Sequence, residues 1–344
     1  MIDAELMELA LALSRSAREG APPNPWVGAV VVDDDGVAGQ GWTHPSGGPH
    51  AEVVALREAG DRARGATMYV TLEPCAHQGR TPPCVAAIEA AGIRRVVASI
   101  RDPDERVAGR GLQALRDRGL EVEVGLGAHG VIEELLPYLW QRSTHRPWVR
   151  AKVAMTLDAR VADRTGVSKW ITSAPARERA HRLRSQAQAI VVGARTMEID
   201  RPLLSARPGG VVSERQPERW VFARHPLNYC TPGVSITSES PSRFLDRLGT
   251  EGVLEILVEG GPTLLGSFLA DDLVDDLHVH LAPIILGDPE ATPAFRLPQP
   301  GLLSEALRLT HVATQTLGVD VELSLRSASA LARQAAFEVE LVKD

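Results

Sequence analysis

His50-Ala51-Glu52, Thr71-Leu72-Glu73-Pro74-Cys75 and Thr81-Pro82-Pro83-Cys84 follow one another closely, and their reading decides the fold of the first half of the chain. One imidazole and two thiolates make a three-ligand zinc set, whereas a closed structural zinc site has four protein ligands. The remaining position suits a water, whose pKa zinc brings to about 7. Glu52, two residues beyond the imidazole, can move protons without ligating. Positions i and i+2 do not share a face of a regular helix. Both side chains therefore reach one metal only if it sits off the first turn of the helix that His50 opens. Residues 66–72 read as a strand that delivers Cys75 at its carboxyl end. Pro82 and Pro83 suit the start of a second helix, 84–91, whose positive dipole end favours the Cys84 thiolate.

Blander readings use the same residues. A lone His or Cys is usually a core residue, and the two cysteines could be a redox pair, or half of a structural zinc site closed by His44 or His77. The joint pattern of His-x-Glu with a later Pro-Cys is, however, the signature of zinc-dependent hydrolytic deamination.

Nucleoside and nucleic-acid deaminases separate their two cysteines by two residues, whereas here the run from Ala76 to Pro83 lies between them. That longer loop, with Pro23-Asn24-Pro25-Trp26-Val27-Gly28 upstream and Arg101-Asp102-Pro103 downstream, resembles the bifunctional deaminase/reductase family of riboflavin biosynthesis. The resemblance runs from about residue 5 to residue 326. It implies an α/β fold: a cytidine-deaminase-like three-layer α/β/α domain, 1–145, followed by a dihydrofolate-reductase-like α/β domain, 146–326. The tail, 327–344, extends past the family's usual end. On the deaminase side the resemblance implies His50, Cys75 and Cys84 as zinc ligands and Glu52 as the catalytic proton carrier. Asn24 and His44 would face the pyrimidine, Asp102 would contact the substrate, and Arg80 would suit its phosphate.

Length and composition agree with two domains. The chain has 344 residues, enough for each half to bury a core. Its formal net charge is −7, with acids and bases interspersed, so the basic footprint of a nucleic-acid binder is missing. Three cysteines make no disulfide framework, and a reducing cytoplasm fits best. No apolar run approaches the roughly 18 residues of a membrane span.

Along the chain, a helix over 3–17 precedes a strand at 29–32, a turn at Asp33-Asp34-Asp35-Gly36 and a returning strand at 37–42. After Cys84 strands are expected at 96–100 and 121–124, and helices up to Gly119 and over 131–142. Strands alternating with helices imply a helix-covered mixed sheet with ligands at strand ends. The polar, proline-stopped run Arg142-Ser143-Thr144-His145-Arg146-Pro147 marks the domain boundary.

The second half opens with a strand at 148–154. Thr172 or Ser173 is expected to cap a helix from Pro175, and strands are expected at 189–193 and 254–258. No Gly-x-Gly-x-x-Gly opens a helix after a strand, so a Rossmann site is unsupported. Instead Glu259-Gly260-Gly261-Pro262-Thr263 turns into a helix whose start offers free N–H groups to a phosphate. The family resemblance implies an NADPH-dependent reductase here. Lys152, Ala154, Trp170, Thr196, Asp200 and the run Gly261, Pro262, Thr263, Leu264, Leu265, Gly266, Ser267 match its cofactor cleft. Ser168, Arg184, Leu204, Arg207 and Glu259 match its ribosyl-phosphate side. Residues 277–285 and 319–325 would supply closing strands.

Three departures from the family's pattern fall in this half. Arg201 stands in Asp200-Arg201-Pro202 where Asp is usual. Ala159 stands in Leu157-Asp158-Ala159-Arg160 where Gly is usual. An aspartate common near Val221-Phe222-Ala223-Arg224 is missing. The expected activity is zinc hydrolytic deamination of a 2,5-diamino-6-(phosphoribosylamino)pyrimidinone, then NADPH reduction of the ribosyl group to ribityl. The expected partners are that small-molecule substrate and further copies of the chain. The competing readings are a deaminase whose C-terminal half only binds or dimerises, and a zinc-stapled structural module.

Overall fold

The computed structural model describes residues 2–79, 81–299 and 301–343, so Arg80 lies outside the described residues. The chain forms two compact units, Met1–His145 with Arg333–Asp344, and Arg146–Ala332.

The first unit is built on a five-stranded sheet of order β2-β1-β3-β4-β5. Its strands are β1 (Gly28–Asp33), β2 (Gly36–Trp42), β3 (Thr67–Leu72), β4 (Arg95–Ile100) and β5 (Glu121–Val124). β1 and β2 form the antiparallel hairpin, while β3, β4 and β5 run parallel. β3 and β4 are apolar nearly throughout because both their faces are covered, and β5, at the sheet's end, alternates exposed and half-buried residues. The covering helices are α1 (Asp3–Ala17), α2 (Ala51–Ala59), α3 (Cys84–Ala90), α4 (Arg110–Asp117) and α5 (Ala128–Thr144). α2 lies so close on β2 that a Cβ at Gly39 or Gly41 would collide with the carbonyls of Ala55 and Ala51. Those two glycines set where the helix behind His50 and Glu52 sits.

The second unit holds an eight-stranded sheet of order β10-β9-β8-β11-β6-β12-β15-β14. β6 (Trp148–Thr156), β8 (Ala189–Gly193), β9 (Glu218–Phe222), β10 (Ser235–Thr237), β11 (Glu255–Val258) and β12 (Asp276–Ala282) are parallel. β15 (Asp320–Arg326) and β14 (Thr310–Leu317) add antiparallel, and short β7 (Arg160–Ala162) pairs with β13 (Thr292–Pro293). α6 (Ala174–Gln186), α7 (Ala194–Asp200), α8 (Pro241–Thr250) and α9 (Pro262–Ala270) complete the unit. One core cluster centres on Phe244 and Phe268, with Phe222 edge-on to both at 5.0 and 5.9 Å. Ser173 does stand at the N-cap of α6, yet its hydroxyl donates to Asp320 at 2.6 Å and leaves the helix uncapped by a side chain.

The tail forms a helix, α10 (Ala328–Glu340), and from Arg333 onward it belongs to the first unit. The Gln334 amide donates to Glu133 at 2.9 Å, and the Arg101 N–H donates to the Leu341 carbonyl at 2.8 Å. Phe337 is fully buried.

Candidate metal centre and reductase cleft

His50 is the N-cap of α2, in extended conformation at φ −75° and ψ 162°. Its side chain is thereby released from the helical repeat, which is how two residues only two apart face the same point. The His50 Nδ1 lies 3.2 Å from Cys84 Sγ and 3.7 Å from Cys75 Sγ, and the Cys84 N–H donates to Cys75 Sγ at 3.4 Å. The three ligand atoms fall within 4.8 Å of one another, and among the described residues they are the one such His/Cys/Asp/Glu group. Those separations suit a tetrahedral ion with Zn–N near 2.0 Å and Zn–S near 2.3 Å. Neither His44 nor His77 enters the group. The Thr81 hydroxyl faces His50 Nε2 at 3.3 Å and steadies the ring.

Glu52 is buried, and its carboxylate hydrogen-bonds with the Cys84 thiol, so it faces the ligand cluster. Burial raises its proton affinity, and the His50 ring opposes that rise. Cys75 is held well below the usual thiol range by hydrogen bonds from Cys84 and His50, against the effect of burial. A thiolate is the form a metal takes.

Around this cluster the expected substrate residues occupy loops. Asn24 is tied through its N–H to Ala21, and the His44 ring stacks on Trp42 with centroids 6.4 Å apart. Asp102 follows β4 and accepts from the Tyr138 hydroxyl at 2.9 Å and from the Asp104 N–H at 2.9 Å. Its burial pushes the carboxyl up to about 7 against those hydrogen bonds. Sequence reasoning gave Glu73 no role, yet it anchors the whole loop. One oxygen accepts the N–H groups of Asp102 and Gly109, and the other those of Gly111 and Leu112, at 2.8–3.3 Å.

The second unit holds a cavity of about 1540 Å³. It opens at the carboxyl ends of β8, β9 and β11, where open α/β sheets bind ligands. Lys152, Ala154, Trp170, Thr196, Asp200, Gly261, Pro262, Thr263, Leu264 and Ser267 line it, as do Ser168, Arg184, Leu204, Arg207 and Glu259. Leu265 and Gly266 do not. Leu265 belongs to the hydrophobic core, and a Cβ at Gly266 would strike the Arg296 carbonyl. The helical repeat turns residues 263, 264 and 267 to the cleft and 265 and 266 away from it.

Inside the cavity Arg184 grips Glu259 with two hydrogen bonds of 2.7 and 2.6 Å. Burial alone would raise the Glu259 carboxyl, but Arg184 and Lys152 hold it at about 2. Lys152 is lowered by burial, partly offset by Glu259. Ser168 donates to Asp200 at 2.8 Å and Lys169 to the Asp200 carbonyl at 3.1 Å. The Arg201 guanidinium lies 4.7 Å from the Tyr229 ring centroid, a placement that occupies its charge. Ala159 closes the turn between β6 and β7 at φ 57°, the left-handed region where glycine is favoured. The cavity's size, its arginines and the open start of α9 fit a dinucleotide phosphate and an anionic substrate.

Comparison with known proteins finds the same two parts. Residues 1–100 match the cytidine and deoxycytidylate deaminase zinc-binding region, and residues 147–323 match the RibD C-terminal domain. The riboflavin biosynthesis protein RibD of Chlamydia muridarum is 39% identical over 325 residues, covering 84% of this chain and 87% of that one. The solved RibD of Acinetobacter baumannii superposes with a TM-score of 0.87 at 35% identity, covering 94% and 98%. A deaminase/reductase from Thermotoga maritima, described as acting on diaminohydroxyphosphoribosylaminopyrimidine and on 5-amino-6-(5-phosphoribosylamino)uracil, superposes at 0.83 with 30% identity, covering 94% and 98%.

Proposed function

The chain belongs to the RibD family of riboflavin biosynthesis proteins, bifunctional zinc deaminases and NADPH-dependent reductases, and from that premise we propose how its residues divide the work. The deaminase is the part up to His145 and the reductase runs from Arg146 to Arg326, with the tail attached to the deaminase. His50, Cys75 and Cys84 hold the zinc, which when bound lowers the pKa of a water to about 7. The observation that carries this reading is the convergence of those three ligand atoms within 4.8 Å with the Glu52 carboxylate hydrogen-bonded to the cluster.

Glu52 takes a proton from the attacking water and gives it to the ring nitrogen. It then takes the proton of the added hydroxyl and passes it to the departing amine, so that the amino-bearing carbon of 2,5-diamino-6-(5-phosphoribosylamino)pyrimidin-4(3H)-one becomes a carbonyl and ammonia leaves. Asn24, His44 and Asp102 orient the pyrimidine, and Arg80 meets the phosphate. In the second cavity NADPH, when bound, would supply the hydride that together with a proton from solvent converts ribosyl to ribityl. Ala154, Trp170, Thr196, Asp200 and the start of α9 position the cofactor. Ser168, Arg184, Leu204, Arg207 and Glu259 hold the ribosyl phosphate. Lys152 lines the same cavity, where Glu259 favours its charged form and Arg184 opposes it. A non-catalytic second half is disfavoured by this lined cavity and by the family match over 147–323.

The chain assembles with copies of itself. β14 ends the eight-stranded sheet with seven consecutive exposed residues, and Ile285, Leu303 and Val312 are exposed in the same unit. An unpaired strand edge with exposed apolar side chains beside it is a pairing surface. Sedimentation of the wild type against Val312→Lys tests it: an oligomer that dissociates in the variant supports the assembly, and a wild-type monomer refutes it. The three free cysteines suit the reducing cytoplasm, and among the described residues no helix is long and apolar enough to cross a membrane. Metal analysis with ammonia release on the phosphorylated diaminopyrimidine tests the deaminase. Equimolar zinc lost together in His50, Cys75 and Cys84 variants supports the ligand set, and full zinc retention in any of them refutes it.

A further inference from the structure

Several arginines around the reductase cavity are held by the protein itself. Arg164 pairs with Asp288 at 2.5 Å, Arg177 donates to the Thr172 carbonyl at 2.7 Å, and Arg184 is bound to Glu259. Arg195 and Arg224 line the same cavity and are exposed, and among the described residues neither guanidinium has a hydrogen-bond, ion-pair or ring partner. The topology sets them side by side. Gly193, the last residue of β8, pairs with Phe222, the last of β9, and each arginine comes two residues beyond its strand's end. Neighbouring strands lie about 4.8 Å apart, so the two cations leave adjacent strand ends. The aspartate common near Arg224 in the family is missing, and the chain from Ala223 to Ser238 carries no acid. Glu239, which leaves the next strand end beyond β10, is taken up by Arg247 at 3.0 Å. Two like charges at one end of a cavity attract an anion from solution.

The direction in which a dinucleotide would lie decides which anion that is. The start of α9, which suits the pyrophosphate, lies against the chain leaving β8: a Cβ at Gly261 would come within 3.1 Å of Thr196 Oγ1. Glu259 follows β11 and holds Arg184, so the ribosyl-phosphate side is at the end of β11. The nicotinamide has to meet the substrate there. The adenosine half then runs the other way from α9, past β8 toward β9, because β8 lies between β11 and β9 in the sheet. We propose that Arg195 and Arg224 together bind the 2′-phosphate on the cofactor's adenosine and thereby set a preference for NADPH over NADH. This assignment rests on the reading of the cavity as the NADPH cleft. A phosphate offers three strong acceptor oxygens, and the planar fork of a guanidinium can take two at once. NADH has a hydroxyl in that place, so it keeps every other contact and loses these charge-assisted ones.

The test is titration calorimetry on the full chain, as wild type, Arg195→Gln, Arg224→Gln and the double variant, with NADPH, NADH, adenosine 2′,5′-bisphosphate and adenosine 5′-phosphate. Wild type should bind NADPH more tightly than NADH. The Kd for NADPH should rise about tenfold in each single variant and about a hundredfold in the double variant. The Kd for NADH should stay at its wild-type value in all of them, which also shows that the cleft is still folded. The bisphosphate should lose its advantage over the monophosphate in the double variant, and raised salt should erode that advantage in wild type. A preference for NADPH that survives both substitutions overturns the proposal. So does an equal weakening of NADPH and NADH, since the arginines would then serve the pyrophosphate that both share. A double variant weakened toward ribose 5-phosphate, with its NADPH affinity intact, would place the substrate's phosphate at this end and overturn it as well. A wild type that binds neither dinucleotide would remove the cofactor reading itself, and the arginine pair with it.

Discussion

The carboxylate of Glu73 accepts the N–H of Gly111 at 2.8 Å, joining the strand end that leads to Cys75 to the loop that follows β4. With its other three hydrogen bonds it fixes a loop that contains Asp102. Glu73→Gln keeps one acceptor oxygen but turns an amide N–H₂ toward backbone donors. At about 1–3 kcal/mol per buried group left unmatched, the variant should lose roughly 2–4 kcal/mol. Urea unfolding should show this in the deaminase half, with slower ammonia release and unaltered reduction of supplied intermediate. Stability equal to wild type would mean that the loop is held by other contacts.

Asp102 sets a pH dependence. Its folded pKa, raised by burial to about 7, lies above the ordinary carboxyl value, so the folded state binds the proton more tightly. The sign is fixed by linkage: this contribution to stability is present at low pH and is lost as pH climbs from about 4 to about 7. Asp102→Asn should remove the slope, making the stability difference between pH 5 and pH 8 smaller by roughly 2–3 kcal/mol. Parallel stability curves for variant and wild type would contradict it.

Ala159 carries a side chain in left-handed backbone at φ 57°. Glycine adopts that region without the clash of Cβ against the carbonyl, so Ala159→Gly should stabilise the reductase half by roughly 0.5–1 kcal/mol. The urea midpoint is the readout, and a fall would show that the turn tolerates alanine at no cost.

The tail is a structural part of the deaminase unit. Phe337→Ala should cost that unit about 3–5 kcal/mol, the usual cost for a fully buried aromatic ring. Removal of 333–344 should make the loop after β4 sensitive to protease, since the Arg101 N–H then loses the Leu341 carbonyl. An unchanged digestion pattern would make the tail an ornament.

Much of this was legible from residues alone, for a physical reason. His50, Glu52, Cys75 and Cys84 stand at a strand end and two helix starts, places that local signals such as Pro82-Pro83 and the apolar run before Glu73 announce. The resemblance then brought fifteen reductase residues to one cavity. Leu265 and Gly266, named in the same run, stand off that cavity because a contiguous run on a helix cannot all face one side. Glu73 stayed silent because its partners are backbone N–H groups 29–39 residues away, which leave no side-chain pattern. The same holds for His278 and Glu322, whose 2.6 Å contact inside the closing strands joins positions 44 apart. α10 was unreadable for a different reason: its packing partners lie in the first unit, far back in the sequence.

The account depends most on a water activated beside a three-ligand zinc with Glu52 as its proton carrier. The direct test is ammonia release by zinc-loaded Glu52→Gln on the phosphorylated diaminopyrimidine, with NADPH oxidation followed in the same cuvette. The account predicts retained zinc, ammonia release down by at least about a hundredfold, and normal NADPH oxidation once deaminated intermediate is added. Ammonia release at the wild-type rate from that variant would contradict it.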